Sequence, residues 1–321
     1  MKELLSFMEG DGIDDEQYVY PTVNDQGKLV YGLFCMNAEG EEFPESIRLV
    51  SEDGETSTLD MVWTIVCAGP QYNNLDVSHE YYEKDGIPVT TLTRMSIDFH
   101  DVKMTNEFIN EAKKLRDEPI FILDLRDNTG GLNEIADFFL YNLTGDKCEA
   151  KMQLATRYSA INQNIEKAIS ETKKLSDFSE VDFYQDNQEL VNGWTADRER
   201  GGQARTGETV VIDNHAKWND YENTIVVLVN QKTKAAAEYF LMKLSTVSNV
   251  VIIGTNTAGY MITDSDIDAE DIYLQYTGIP VNYGPTLVLH DKMEDFDTTG
   301  WIPDIVTRGD ALDAATALLR N

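Results

Sequence analysis

The clearest hydrophobic pattern in the chain runs from Thr224 to Gly259. TIVVLVN is an unbroken apolar run rich in β-branched residues, the pattern of a strand buried on both faces. KAAAEYFLMKL then changes to helical spacing, with Ala235, Tyr239, Leu241 and Met242 available for one buried side. NVVIIGT returns to a buried-strand run, and Thr257-Ala258-Gly259 closes it with a turn. The predicted order is strand, tight turn, helix, strand. Such a turn aims the first amides of the helix toward one point, where negative charge is favoured.

An earlier stretch has the same grammar. PIFILDLR, residues 119 to 126, is a second buried strand, Asp127 to Gly131 a loop, and LNEIADFFLYNL an amphipathic helix. Two glycines before a helix let a loop bring its amides close to a ligand, because no Cβ intervenes.

Elsewhere the pattern is less regular. From about residue 17 to 67 the chain reads as β, with KLVYGLFC, ESIRLV and LDMVWTIVC separated by turn-forming AEGEEFP and SEDGETS. This predicts an N-terminal β-rich cap over residues 1–84 and a core over 85–321. The core opens at Gly86-Ile87-Pro88 with the strand VTTLTRM. A helix over TNEFINEAKKLRDE follows, placing Phe108, Ile109, Ala112 and Leu115 on one face. Residues of about 151–223 read as a helical insertion, with a long helix over KMQLATRYSAINQNIEKAISETKKL and a loop over ERGGQARTGE. Lying between two motif loops, it is either a lid or a decoration. Short β runs (DIYLQY, IPVNY, TLVLH) and a closing helix over DALDAATALL complete the chain.

Composition narrows the functions. The 321 residues, 42% hydrophobic, suffice for a sizeable core and two domains. With 57 acidic and 26 basic residues the formal charge is -31, which repels phosphate backbones and anionic membranes and argues against nucleic acid as a partner. The same charge favours basic peptides at long range, or serves solubility alone. Cys35, Cys67 and Cys148 form no closed disulfide framework and no C-x-x-C pair, and read as buried small hydrophobes. No apolar run is long enough to span a membrane. MKELLSFMEGDG has too short an apolar run for a signal peptide. It reads as a native start or the cut edge of a longer chain, the latter implying an extracytoplasmic protein. The four histidines and scattered cysteines show no metal-ligand spacing, and no phosphate-binding glycine motif points to a cofactor.

The two strand–loop–helix stretches, ILDLRDNTGG and VLVNQKTKAAAE, together with Gly300-Trp301-Ile302-Pro303-Asp304, resemble the tail-specific, or C-terminal processing, serine peptidases and their tricorn-core relatives. The resemblance covers about two thirds of the chain. It implies an α/β fold with a crotonase/ClpP-like core, in which the first motif supplies part of an oxyanion hole and the second delivers a nucleophilic serine at a helix start. Aligning Thr233 and Glu238 on the family frame T-x-S-x-x-E puts Ala235 at the nucleophile position. A methyl group cannot attack a carbonyl, so the chain as written is expected to be inactive.

The resemblance also implies the rest of the site. The oxyanion donors would be the amides of Gly130, Gly131 and Ala236. One branch of the family uses a lysine after the glycine of G-x-x-T-x-G-K, where this chain has Tyr260, a poor base at neutral pH. The tricorn-like branch, the nearer one, uses an upstream histidine, for which His79 and His100 are the candidates among His79, His100, His215 and His290. A base preceding Met1 in a longer chain is the alternative. Arg126, Asp127 and Glu238 match family positions and also suit purely structural roles.

Three functions fit these residues. One is a serine endopeptidase family member acting on peptides or proteins whose serine was replaced by alanine. Another is a natural pseudopeptidase that binds extended peptides without cutting them. A crotonase-type acyl-CoA enzyme would leave the T-x-x-x-x-E frame and the G-x-x-P-D turn unexplained.

Overall fold

The computed structural model describes residues 19–24, 26–33, 46–50, 55–60, 77–98, 100–150, 152–157, 175–196, 209–215, 217–260, 263–264, 286–289 and 299–320. Its strands are β1 (Val19–Val23), β2 (Leu29–Leu33), β3 (Ser46–Val50), β4 (Thr56–Asp60), β5 (His79–Lys84), β6 (Ile87–Leu92) and β7 (Ile120–Asp124). There follow β8 (Met152–Arg157), β9 (Thr209–Asn214), β10 (Thr224–Val229), β11 (Val250–Gly254), β12 (Thr263–Asp264), β13 (Thr286–Leu289) and β14 (Ile305–Val306). The helices are α1 (Val102–Leu115), α2 (Asn133–Thr144), α3 (Asp182–Asp186), α4 (Gln188–Ala196), α5 (Ala236–Leu244) and α6 (Ala311–Leu319).

An eight-stranded sheet in the order β2-β1-β14-β11-β10-β7-β6-β5 carries the fold. Its interior pairings, from β6 to β1, are parallel, and the edge strands β2 and β5 are antiparallel. The unbroken apolar runs follow from this position. Ile225, Val227 and Val229 of β10, with Phe121 and Leu123 of β7, meet α1, α2 and α5 on one face. The intervening Val226, Leu228 and Ile122 meet Ala311, Leu312 and Ala315 of α6 on the other. A strand covered on both sides leaves no position for a polar residue, so alternation disappears. The two motif strands are parallel neighbours, with Leu123 opposite Val227 and Asp124 opposite Leu228.

The sheet reaches across residue 84. That boundary abuts the β5–β6 turn, and β1, β2 and β5 all lie in the sheet that carries both motifs. β3 and β4 form a separate two-stranded sheet.

One expectation is corrected in the insertion. Residues 152–157, read as the start of a long helix, form β8, which pairs with β9 and β13 in the four-stranded sheet β12-β13-β8-β9. Strand partners on both sides decide this against the helical reading of MQLATR. Lys151 and residues 158–174 of that predicted helix, the ERGGQARTGE loop, the DIYLQY and IPVNY runs, Cys35 and Cys67 lie outside the described residues. Within the insertion, Phe178, Val181, Phe183 and Val191 join the main core. Phe183 stacks on Phe138 of α2 with ring centroids 4.7 Å apart, so this segment packs directly on the first motif's helix. Among the described residues no helix is long and apolar enough to cross a membrane. Cys148 is buried, and that burial pushes its thiol up to about 11.

Candidate active site

Adjacent parallel strands that each turn into a helix at the same sheet end must bring their loops together, and here the loops are laced by side chains. Asp127 and Asn230 exchange hydrogen bonds: the Asp127 amide donates to Asn230 Oδ1 at 3.0 Å, and Asn230 Nδ2 donates to Asp127 Oδ1 at 2.9 Å. The Thr233 hydroxyl donates to the Leu125 carbonyl at 2.8 Å and accepts from the Asn230 amide. The Lys234 amide donates to the Asn128 carbonyl at 3.0 Å. Beneath them the buried Arg126 guanidinium grips Asp124 and reaches Asp310, the N-cap of α6.

The glycines are set by close approach. Met95 donates its amide to the Gly130 carbonyl and accepts the Leu132 amide, so residues 93–96 run beside the glycine loop. A Cβ on Gly131 would fall 1.9 Å from the Met95 carbonyl oxygen, which only glycine avoids. The Gly130 amide is committed inward, donating to Asn128 Oδ1 at 2.8 Å, while Asn128 Nδ2 donates to the Leu92 carbonyl. Of the three amides expected to face an oxyanion, those of Gly131 and Ala236 donate to no described residue. Gly130 instead shapes the loop.

Ala235 is the N-cap of α5 and has φ 53° and ψ -120°. Positive φ at a residue with a Cβ costs about 1–3 kcal/mol and persists only where the surroundings impose it. A sharp strand-to-helix elbow of this kind projects the side chain at its apex out of the sheet end. The helix therefore begins at Ala236, two residues later than the sequence pattern suggested.

Glu238 holds the elbow. Its fully buried carboxylate accepts from the Ala235 amide on Oε2 at 2.9 Å. That is half of a capping box. The reciprocal half needs an oxygen on residue 235, which alanine lacks. The same carboxylate accepts from the Thr257 hydroxyl on Oε1 at 2.5 Å, the Gly259 amide on Oε1 at 2.8 Å and the Tyr260 amide on Oε2 at 2.8 Å. Thr257 Oγ1 in turn accepts from the Trp301 amide at 2.6 Å. The three stretches that carry the family resemblance, around 130, 235 and 301, thus meet in one place.

The histidines separate. His79 is buried on β5, its Nδ1 2.8 Å from the Thr91 carbonyl, its Nε2 3.3 Å from Glu111 Oε2 and its ring edge-on to Phe108. Both ring nitrogens are occupied by structural partners. His100 lines a cleft of about 530 Å³ together with Arg94, Met95, Ser96, Gly130 and Gly131. The structure brings His100, and not His79, to the glycine loop. His215 is exposed and His290 lies outside the described residues. Tyr260 is 69% exposed, with the Lys234 ammonium 5.6 Å from its ring centroid.

Residues 89–307, well over half of the chain, match the model of peptidase family S41. The chain belongs to peptidase family S41. S41 is a family of serine peptidases, and the mixed α/β sheet with its flanking helices is the fold of that family. Among solved structures this S41 chain is similar to a lipoprotein from Streptococcus agalactiae, with 17% identity over 75% of this chain and 69% of that one, TM-score 0.43. It is similar to mature CPAF complexed with lactacystin, with 15% identity over 88% of this chain and 67% of that one, TM-score 0.43. The photosystem II D1 C-terminal processing protease is a further neighbour, with 14% identity over 81% of this chain and 54% of that one, TM-score 0.38. The chain spans between about half and two thirds of the length of these structures. No curated protein matches it.

The sequence offers Glu238 a family position or a purely structural role. It gave no role to Thr257, Asn128 or Met95 in assembling the site. The signal for Thr257 was its place in the T-A-G turn of the lysine frame. Asn128 acts through its side-chain amide, which joins the Gly130 amide to the Leu92 carbonyl, and Met95 acts through main-chain contacts that no residue type announces.

Proposed function

We propose that this S41 chain binds extended peptides or protein segments at the 131/235 cleft and does not cleave them as it stands, because residue 235 is alanine. The observation that carries this reading is the Ala235 elbow. A backbone held at φ 53° between the Gly130 loop and the Glu238 carboxylate is an expensive way to present a methyl group. It is the geometry that would present a nucleophile. With a serine there, the hydroxyl would stand at a helix N-terminus beside the Gly131 and Ala236 amides, the donors an acyl-transfer oxyanion needs. The substrates are peptides by family, and the charge of -31 favours cationic ones at low salt.

The natural pseudopeptidase reading has one specific observation in its favour. Tyr260 stands at the lysine position and His79 is committed to Thr91 and Glu111, so two chemical positions have lost their usual equipment. A serine replaced at 235 accounts for neither of them.

Ala235→Ser, assayed against a peptide library beside the unaltered chain, tests the function. Saturable peptide binding by the alanine form and hydrolysis by the serine form support a silenced peptidase. Binding by both forms with hydrolysis by neither supports the natural pseudopeptidase. Absence of saturable binding by either form overturns the proposal.

A further inference from the structure

Glu238 is buried without exposure, and no cation of the described residues forms an ion pair with it. A carboxylate in that position must be stabilised by hydrogen-bond donors, and here four converge on it, two per oxygen. Their placement is informative. One donor is the amide of residue 235 itself. Two belong to Gly259 and Tyr260, in a turn that follows a different strand, and the fourth, Thr257, is fastened to Trp301 from both its hydroxyl and its main chain. A helix cap would need only the first. The other three tie the backbone at 260 to the backbone at 235 through one side chain.

We propose that Glu238 is a positioning residue that registers residue 260 against residue 235, so the two chemical positions of the site keep their mutual geometry whatever side chains they carry. This rests on reading 235 and 260 as the reactive positions, but the coupling is a physical property that can be measured without any peptidase activity. Because both Glu238 oxygens are saturated with donors, glutamine is a poor substitute: its Nε2 would turn N–H groups toward two incoming donors. Thr257 extends the same tie, since its hydroxyl both donates to Glu238 Oε1 and accepts from Trp301.

The experiment uses the full chain with Ala235→Cys as a reporter. Alkylation of the introduced thiol by iodoacetamide at pH 7 is followed by peptide mass spectrometry, which separates it from Cys35, Cys67 and Cys148. Adding Tyr260→Lys places a cation at the second position, and a cation within a few ångströms favours the thiolate. The expected result is an acceleration by Tyr260→Lys of at least about fivefold when Glu238 is present, falling below about twofold in Glu238→Gln. Equal acceleration in both backgrounds, or none with Glu238 intact, overturns the proposal. Should Glu238→Gln fail to fold, Thr257→Val removes one of the four donors and is expected to reduce the acceleration by at least about half. No reduction would equally overturn it. A chain that neither binds nor cleaves peptides but shows the coupling would sink the proposed function and leave the role of Glu238 standing.

Discussion

A Cβ placed on Gly130 would lie 2.8 Å from the Ala235 Cβ and 3.0 Å from the Ala236 nitrogen, so the glycine loop of the first motif rests directly against the elbow of the second. Gly130 also has φ +86°, where an L residue is strained in any case. Gly130→Ala should therefore cost about 1–3 kcal/mol and displace residue 235. Gly131→Ala, whose Cβ would meet the Met95 carbonyl at 1.9 Å, should cost at least as much. Thermal denaturation of both variants checks the stability, and peptide titration checks the cleft. A Gly130→Ala chain that melts and binds unchanged would refute the contact.

The two upstream histidines should behave differently. His79→Ala removes a ring packed on Phe108 and leaves Glu111 and the Thr91 carbonyl short of a partner. The expected loss is about 2–4 kcal/mol of stability, with the pH dependence of any activity in Ala235→Ser unaltered. His100→Ala, at the exposed cleft wall, should cost less stability than His79→Ala. It should abolish the activity of Ala235→Ser if the base lies within this chain. The pH–rate profiles of the two double variants decide which histidine, if either, takes the proton.

Asp310 should contribute to acid sensitivity. Burial alone would raise its carboxyl, but Arg126 and the amides of Asp313 and Leu312 outweigh it and hold the group below the usual carboxylate range. Asp101, buried against Arg94, is lowered in the same way. A carboxylate depressed in the folded state adds stability that is present above its unfolded value, near about 3.9, and lost as pH falls through its folded value. Acid unfolding should therefore steepen below about pH 4, and Asp310→Asn should flatten that limb. Urea titrations at pH 3 and pH 7 measure the difference. Asp310→Ala should cost about 1 kcal/mol more by removing the N-cap of α6.

The buried Lys243–Asp137 pair gives the opposite sign. Burial by itself would lower the Lys243 ammonium, but Asp137, Tyr239 and Glu149 more than reverse that, so its value is raised. The ion pair spans 2.5 Å, and the ammonium donates to the Lys147 carbonyl at 2.9 Å. A raised lysine adds stability that is complete below its unfolded value, near about 10.4, and is lost only as pH rises through its folded value. Lys243→Met should cost about 3–5 kcal/mol by stranding Asp137, and Lys243→Met with Asp137→Leu should recover most of it. Denaturant midpoints of the three chains test this. A double variant no more stable than the single one would contradict the stranded-charge account.

Much of this protein was legible in its residues. Buried parallel strands leave no solvent face, so TIVVLVN and PIFILDLR announced themselves by losing their alternation, and helical spacing gave α1, α2, α5 and α6 to within a few residues. The family frame around Thr233 and Glu238 singled out Ala235, which the structure places at the elbow before α5. What the residues could not show is anything that depends on a partner far along the chain. MQLATR became a strand because β9 and β13 flank it, and helical spacing carries no record of those neighbours. The anchoring of Asn128 to the Leu92 carbonyl, the burial of His79 against Glu111 and the convergence of Thr257, Gly259 and Tyr260 on the Glu238 carboxylate are likewise tertiary decisions. Hydrogen bonds are satisfied by whatever the fold brings within about 3 Å, and only the closed sheet determines which atoms those are.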